Sequence, residues 1–331
     1  MVRVLVTGAG GPAGVAVVRS LLRRGRDEVW AADMDGWAAG LYLVPPGRRV
    51  IVPPGAEPGF VEAAGALCRA EGVAVLVSTV DAELPPLAAR RAELEAGGTV
   101  LAAPSAATIE LALDKLTLAH ACAPWLRVPT TTLLGPDSDG VDWRFPVIVK
   151  PRRGSGSRGV RTVPTRDALG VLGVDDGLIV QEMLPGQEYS VDVLADASGH
   201  VVAAVPRTRA RVDSGVSIAG TTVHDGGLEA IAGAVARAIG LVGVANVQVR
   251  RDRAGVPALL EVNPRFPGAL PLTVAAGVDM PGLAVDLALG LAIPEHLDFR
   301  ELATVRFLED VFLDPAEVLT SEHAAHQDDA P

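Results

Sequence analysis

Apolar and polar positions along this chain follow two periods in turn. Residues 2–6 are a short apolar run that stops at the glycine loop Gly8–Gly14, and residues 15–24 then carry apolar side chains at helical spacing. A second run at 29–32 ends in Asp33. The pattern returns with a helix around 61–70, a run at 73–78 and another at 100–103. Strands alternating with helices predict parallel βαβ units, so residues 2 to about 104 read as a doubly wound α/β domain.

The second half reads differently. A helical stretch from 105 ends near the turn Val128-Pro129, and residues 145–150 form a strand that stops at Pro151. A glycine- and serine-rich loop follows from Arg152 to Gly159, then a strand at 178–183 and the turn Leu184-Pro185-Gly186. Residues 189–195 and 201–205 pattern as a hairpin over Asp196–Gly199. A helix at 228–239, two strands at 245–250 and 258–263, and a helix at 280–291 complete the pattern. Beyond about Pro315 the chain turns polar, and an unstructured tail is expected there.

Composition narrows the function. The chain has 331 residues, 49% hydrophobic and 21% charged, with a net charge of −11. That charge argues against nucleic acid as a partner, since phosphate backbones demand basic patches. No segment approaches the ~20 apolar residues needed to cross a bilayer, and the first apolar run is too short for a signal-peptide core. A cytoplasmic protein is expected. Cys68 and Cys122 sit in alanine-rich, helix-like stretches and read as buried, inert thiols, and no Cys/His cluster has zinc spacing. Of 29 basic residues only Lys115 and Lys150 are lysine. Lysine is a compact point charge on a thin stem, which suits a phosphate, so this pair is the first candidate for phosphate contacts.

Four stretches carry candidate chemistry. Gly8–Gly14 follows a strand and opens a helix, with Asp33 further on. Dinucleotide binding, plain strand–helix packing and small-substrate binding at the helix start all fit it. The strands around Gln248 and Glu261 pair about Ala254–Gly255 if they form a hairpin. Gln248 then faces Glu261, and Asn246 faces Asn263. This register gathers hard oxygen donors on one face, with Val247, Val249, Leu260 and Val262 packed behind, and suits Mg²⁺ shared with phosphates. A solvated polar face is the bland alternative, against which the adjoining Arg265 counts, because an arginine there can stabilise a transferring phosphoryl group. Directly after Lys150, the loop with Gly154, Ser155, Gly156 and Ser157 offers backbone N–H groups and hydroxyls as an anion cradle. The stretch Gln181, Glu182, Met183, Leu184 can present backbone groups to an adenine edge, with Glu188 a few residues on for ribose hydroxyls.

Taken in order, these pieces resemble the ATP-grasp superfamily, and within it the carbamoyl-phosphate-synthase-like carboxylate–amine ligases. The run Glu261-Val-Asn263-Pro-Arg265 is the most specific match, and Ser78–Pro85 is also typical of the family. The resemblance implies an α/β and α+β protein: a Rossmann-like pre-ATP-grasp domain over 1–104, then a grasp fold whose two α+β subdomains, 105–180 and 181–312, clasp ATP, with a tail at 313–331. It implies Lys115 and Lys150 on the ATP phosphates, the loop at 153–159 as a lid, adenine on the backbone of Glu182 and Leu184, and ribose on Glu188. Gln248 and Glu261 would bind one Mg²⁺, and Glu261 and Asn263 a second, with Mn²⁺ as an alternative. Gln248 stands where the family usually has an acid, which implies a weaker first metal site. Arg265 would face the transferred phosphoryl group.

Such an enzyme needs positioning and charge neutralisation rather than a protein nucleophile. The expected reaction joins a small carboxylate to an amine through an acyl phosphate, releasing ADP and phosphate. A regulatory nucleotide-binding protein, or a ligase that uses ammonia or a thiol, is the alternative. Three arginines alternate in Arg207-Thr-Arg209-Ala-Arg211; Arg207 and Arg209 are expected to hold the substrate carboxylate or the acyl phosphate. A homodimer is the family expectation.

Overall fold

The computed structural model describes residues 1–154, 156 and 158–320. The first half forms five parallel strands: β1 (Val2–Thr7), β2 (Asp27–Asp33), β3 (Arg49–Ile51), β4 (Val75–Ser78) and β5 (Val100–Leu101), in the order β3-β2-β1-β4-β5. The strands read as unbroken apolar runs because both faces of a parallel sheet are covered. Val4, Val6, Val29 and Val77 point into one core, while Leu5, Trp30, Ala32 and Leu76 point into another. The glycine loop leads into the helix Pro12–Arg24, and its close packing is steric: a Cβ on Gly14 would lie 2.1 Å from the Gly8 carbonyl oxygen.

Four antiparallel strands follow: β6 (Thr131–Leu134), β7 (Val147–Pro151), β8 (Arg161–Val163) and β9 (Asp175–Glu182), ordered β6-β9-β7-β8 around a small core with Trp143, Val147, Val149 and Val180. A second antiparallel sheet contains β10 (Glu188–Ala195) and β11 (Val201–Thr208). A three-stranded sheet takes β12 (Arg211–Asp213) and β13 (Val216–Thr221). The strands β14 (Gly243–Arg251) and β15 (Pro257–Asn263) complete the second sheet as β11-β10-β14-β15, and β16 (Ala303–Val305) completes the third as β12-β13-β16. The helix Gly226–Ile239 covers one face of the β10–β14 sheet, against Val191, Val193, Val247, Val249, Leu259 and Val262.

The other face of that sheet does not end at a boundary. Leu194, Val202, Val205 and Val244 share one apolar core with Val4, Val6 and Val17 of the first sheet and its helix. Ser20 Oγ, on the helix Pro12–Arg24, donates to Asp279 Oδ1 at 2.7 Å, and Arg24 pairs with Asp286 on the helix Met280–Ala288. The parallel sheet is thereby fixed against the far end of the chain. Among the described residues no helix is long and apolar enough to cross a membrane.

Two expectations change. The tail expected from 313 packs back at residues 317–319: Glu317 pairs with Arg49 at 3.3 Å, and Leu319 N–H donates to the Tyr42 hydroxyl at 3.1 Å. Residues 321–331 lie outside the described residues. The helical stretch from 105 is two helices, Ala106–Leu113 and Lys115–Cys122, broken at Asp114, which caps the second by accepting from Leu116 and Thr117 N–H at 3.2 and 3.1 Å. Both cysteines are buried free thiols, pushed up to about 11 by burial, as their alanine-rich surroundings predict.

Between these layers Arg207 is only 1% exposed. Its Nε and Nη2 donate to the two oxygens of Asp192 at 2.9 and 2.6 Å, and Asn246 and Thr273 complete the shell around that carboxylate. Removing one partner of such a buried pair leaves an uncompensated charge. Arg207→Ala is expected to lower unfolding stability by about 3–5 kcal/mol in a denaturant titration. A loss under about 1 kcal/mol would mean that the pair behaves like a solvated surface bridge.

Candidate active site

The site begins with Asp114. Besides capping the helix that starts at Lys115, its carboxylate accepts from Arg152 Nε at 2.9 Å and lies 3.4 Å from Arg153 Nη2. Burial pushes this carboxyl up, yet the Arg152 hydrogen bond, the Thr117 N–H and the two arginine charges outweigh it and hold it at about 2. One side chain thus anchors both a lysine-bearing helix start and the loop after β7. Lys115 N–H donates to the Arg152 carbonyl at 3.0 Å, and its ammonium donates to the Gly154 carbonyl at 2.6 Å. Gly154 has φ 130, a conformation that excludes a Cβ. Asp114 was missed in the sequence, although an aspartate directly before the helix-starting lysine is a cap signal.

Lys150, at the end of β7, faces the same place. Lys115 and Lys150 are each 8% exposed. Burial pushes Lys150 down to about 8; Glu261 and Glu188 oppose that shift, and the Lys115 charge adds to it. The two lysines therefore converge on Glu261, whose Oε2 lies 3.8 Å from Lys115 Nζ.

Glu261 arrives through the expected hairpin. Gln248 pairs with Glu261 and Asn246 with Asn263. A register shift after Gln248 then pairs Val249 with Leu259 and leaves Leu260 as an extra residue. The bulge corrects one expectation: Leu259, not Leu260, enters the core, and Leu260 lines the pocket beside Glu261. Asn246 is buried on the same face and donates to Asp192 at 2.7 Å, so its amide is committed to that carboxylate. The remaining donors, Gln248, Glu261 and Asn263, are hard oxygen ligands with one carboxylate among them. Among the described residues no three His, Cys, Asp or Glu groups come together as a metal cluster. The set fits a divalent ion of the Mg²⁺ type that completes its shell from ligand oxygens, and Lys115 already places a cation beside Glu261.

Two cavities adjoin at this point, sharing part of their walls. The narrower one is walled by Ile148, Val160 and Leu260 and includes Lys150, Gln181, Glu182, Met183, Leu184 and Glu188. Glu182 turns its carboxylate onto Arg127 at 2.9 and 2.8 Å and its N–H onto Thr130 at 2.9 Å, so its side chain is not available to a ligand. Gln181 is buried and donates to Thr131 at 2.9 Å. Glu188 lies 2.8 Å from Arg209 Nε. The wider cavity, about 720 Å³, runs along Gly8, Gly11 and Asp33 of the first sheet to Asp81, Asn263 and Arg265. Lys115, Gly154, Arg158 and Glu261 line both.

The arginine expectation is corrected. Arg207 lines neither cavity, because the short turn after β11 ends the alternation and its guanidinium is committed to Asp192. Arg209 is held by Ser190, the Gly215 carbonyl and Glu188, beside the narrow cavity rather than in it. Ser155 and Ser157 lie outside the described residues, and Gly156 lines neither cavity. Asp33 accepts from the N–H groups of Gly10 and Asp35, at 2.8 and 3.1 Å, while Gly8 and Gly11 of the loop line the wider cavity.

Residues 175–311 match the family described as ATP-grasp in the biosynthetic pathway with Ter operon. No curated protein sequence matches the chain. Among solved structures, biotin carboxylase from Campylobacter jejuni in a β,γ-ATP complex is similar over 88% of this chain and 72% of its own, at 17% identity and a TM-score of 0.71. N5-carboxyaminoimidazole synthetase from Staphylococcus aureus, complexed with ADP, covers 90% of this chain and 80% of its own at 14% identity and a TM-score of 0.71. L-amino acid ligase from Bacillus licheniformis covers 87% and 74% at 17% identity and a TM-score of 0.64. The Rossmann-like sheet and the two antiparallel sheets around the cavity give this chain the fold of these structures, and its residues 175–311 match an ATP-grasp family.

Proposed function

We propose that the protein is an ATP-dependent ligase that joins a small carboxylate to an amine through an acyl phosphate. One observation carries this reading. The four residues shared by the two cavities include an ammonium, an arginine and the only carboxylate of the donor set, so charge neutralisation is concentrated where the cavities meet. A nucleotide in the narrower cavity would direct its terminal phosphate at a substrate in the wider one. The apolar side chains of Ile148, Val160 and Leu260 suit a flat base, and Glu188 suits ribose hydroxyls. Gln248, Glu261 and Asn263 would hold Mg²⁺, with Mn²⁺ as an alternative, and a bound metal there supplies neutralisation of phosphate charge.

The chain's own residues position and neutralise. Lys150 and Lys115 meet the phosphates, and Arg265 meets the phosphoryl group in flight. A carboxylate oxygen of the substrate attacks the terminal phosphorus, and the bond to ADP breaks. The amine nitrogen then attacks the acyl carbon, phosphate leaves, and the amine proton passes to solvent. The same reading makes the protein cytoplasmic, with small-molecule partners. A screen of acid–amine pairs for ADP formation, with product masses, tests it; amide products support the reading, while ADP formed only with ammonia or a thiol redirects it.

Two outcomes follow from the geometry. Glu261→Ala is expected to abolish ADP formation while the protein keeps its cooperative unfolding transition, and near-normal turnover contradicts the metal assignment. The second concerns pH. Lys150 in the free site is held at about 8, below its ordinary value, and phosphate binds its charged form. Affinity for Mg·ADP by calorimetry should be level below that pH and weaken above it, by up to about tenfold per pH unit. Lys150→Met should bind weakly and without that slope; a wild-type profile flat to pH 10 contradicts the assignment.

A further inference from the structure

Arg265 and Asp81 meet in the wall of the wider cavity, 184 residues apart in the chain and each 18% exposed in its side chain. Arg265 Nε donates to Asp81 Oδ1 at 2.7 Å and Nη2 donates to Oδ2 at 2.8 Å, while Nη1 donates to the Phe266 carbonyl at 3.1 Å. A guanidinium has five N–H donors. Three are used here, which leaves one N–H on each terminal nitrogen; with the Phe266 carbonyl taking the Nη1 hydrogen on the Cδ side, these two form the end fork that can grip an anion.

Asp81 is itself rigidly placed. It lies on the turn that leaves β4, where the one hydrogen of Thr79 Oγ1 is shared between the carbonyls of Thr7 and Gly8, each 3.0 Å away, and Glu83 N–H donates to the Val80 carbonyl at 3.1 Å. The Glu83 carboxyl is buried beneath and accepts from Ser78 Oγ at 2.7 Å and from Thr7 Oγ1. On its own side, Arg265 N–H donates to the Asn263 carbonyl at 2.8 Å. An acid on the turn that leaves the parallel sheet therefore sets the plane of an arginine two residues past β15, the strand that bears Glu261.

We infer that Asp81 is a positioning residue: it occupies one fork of the Arg265 guanidinium and so presents the other as a preformed two-N–H site for a planar anion, the transferring phosphoryl group or the substrate carboxylate. The inference rests on the nucleotide-site reading above. It also makes the N-terminal sheet part of the anion site rather than a neighbour of it. A plain tether between the sheets would need the same ion pair but no anion.

The test is the affinity of Mg·ADP with and without aluminium fluoride, a planar mimic of the phosphoryl group. In the wild type the fluoride is expected to tighten ADP by on the order of tenfold or more, and Arg265→Ala to abolish that gain. Asp81→Asn, which keeps the shape, should remove on the order of tenfold of the gain while ADP alone binds within about twofold of wild type. In the Arg265→Ala background Asp81→Asn should change nothing further, since it acts through that arginine. Asp81→Ser replaces it if the amide variant does not fold. A wild type without the gain, an Asp81→Asn protein that keeps it, or independent effects in the double variant each overturn the inference. A wild type that binds no Mg·ADP sinks the nucleotide reading and this inference with it, and the first titration distinguishes that case.

Discussion

Two ammonium groups held close together, both largely out of water, are the constraint around which this protein is arranged. Both lysines are buried, and burial together with the nearby Lys115 charge pushes Lys150 down to about 8. Glu261 between them relieves part of that cost but is a single carboxylate against two cations. On the reading proposed above, a bound polyanion would offset that excess of positive charge. Asp114 then has a clear purpose. By capping one lysine's helix and gripping Arg152 and Arg153 of the loop, it keeps cationic elements from two parts of the chain at one place.

The rest of the fold serves that point. The bulge in the β14–β15 pair turns Leu260 to the pocket next to Glu261, so an apolar wall and a charged donor come from adjacent residues. The Arg207–Asp192 pair acts in the interior, where it fixes β10 against β11 and ties the helix around Thr273 to them. The apolar core that runs from the parallel sheet into the second antiparallel sheet holds Asp81 against Arg265. The wider cavity between them is thus bounded by parts that cannot shift independently without opening that core.

How much of this was legible depended on range. The parallel sheet, the hairpin register and the two lysines were readable, because side-chain alternation and the rarity of lysine are local properties of the sequence. The break at Asp114 carried a readable cap signal that the apolar pattern of residues 106–122 masked. The bulge was not readable: Leu259 and Leu260 are chemically the same, and only packing decides which of them enters the core. Arg207 misled for a related reason. Alternation says which face a side chain takes but not what waits there, and Asp192 waits on the neighbouring strand. Asp81 meeting Arg265, and residues 317–319 meeting Arg49 and Tyr42, are contacts over long sequence separation that no local pattern encodes.

The most direct measurement is a crystal structure of the protein with Mg²⁺ and a non-hydrolysable ATP analogue. The base should lie against Leu260 and Ile148, with the phosphates between Lys115 and Lys150 and the metal on Glu261. A nucleotide bound elsewhere, or phosphates that leave both lysines untouched, would contradict the account.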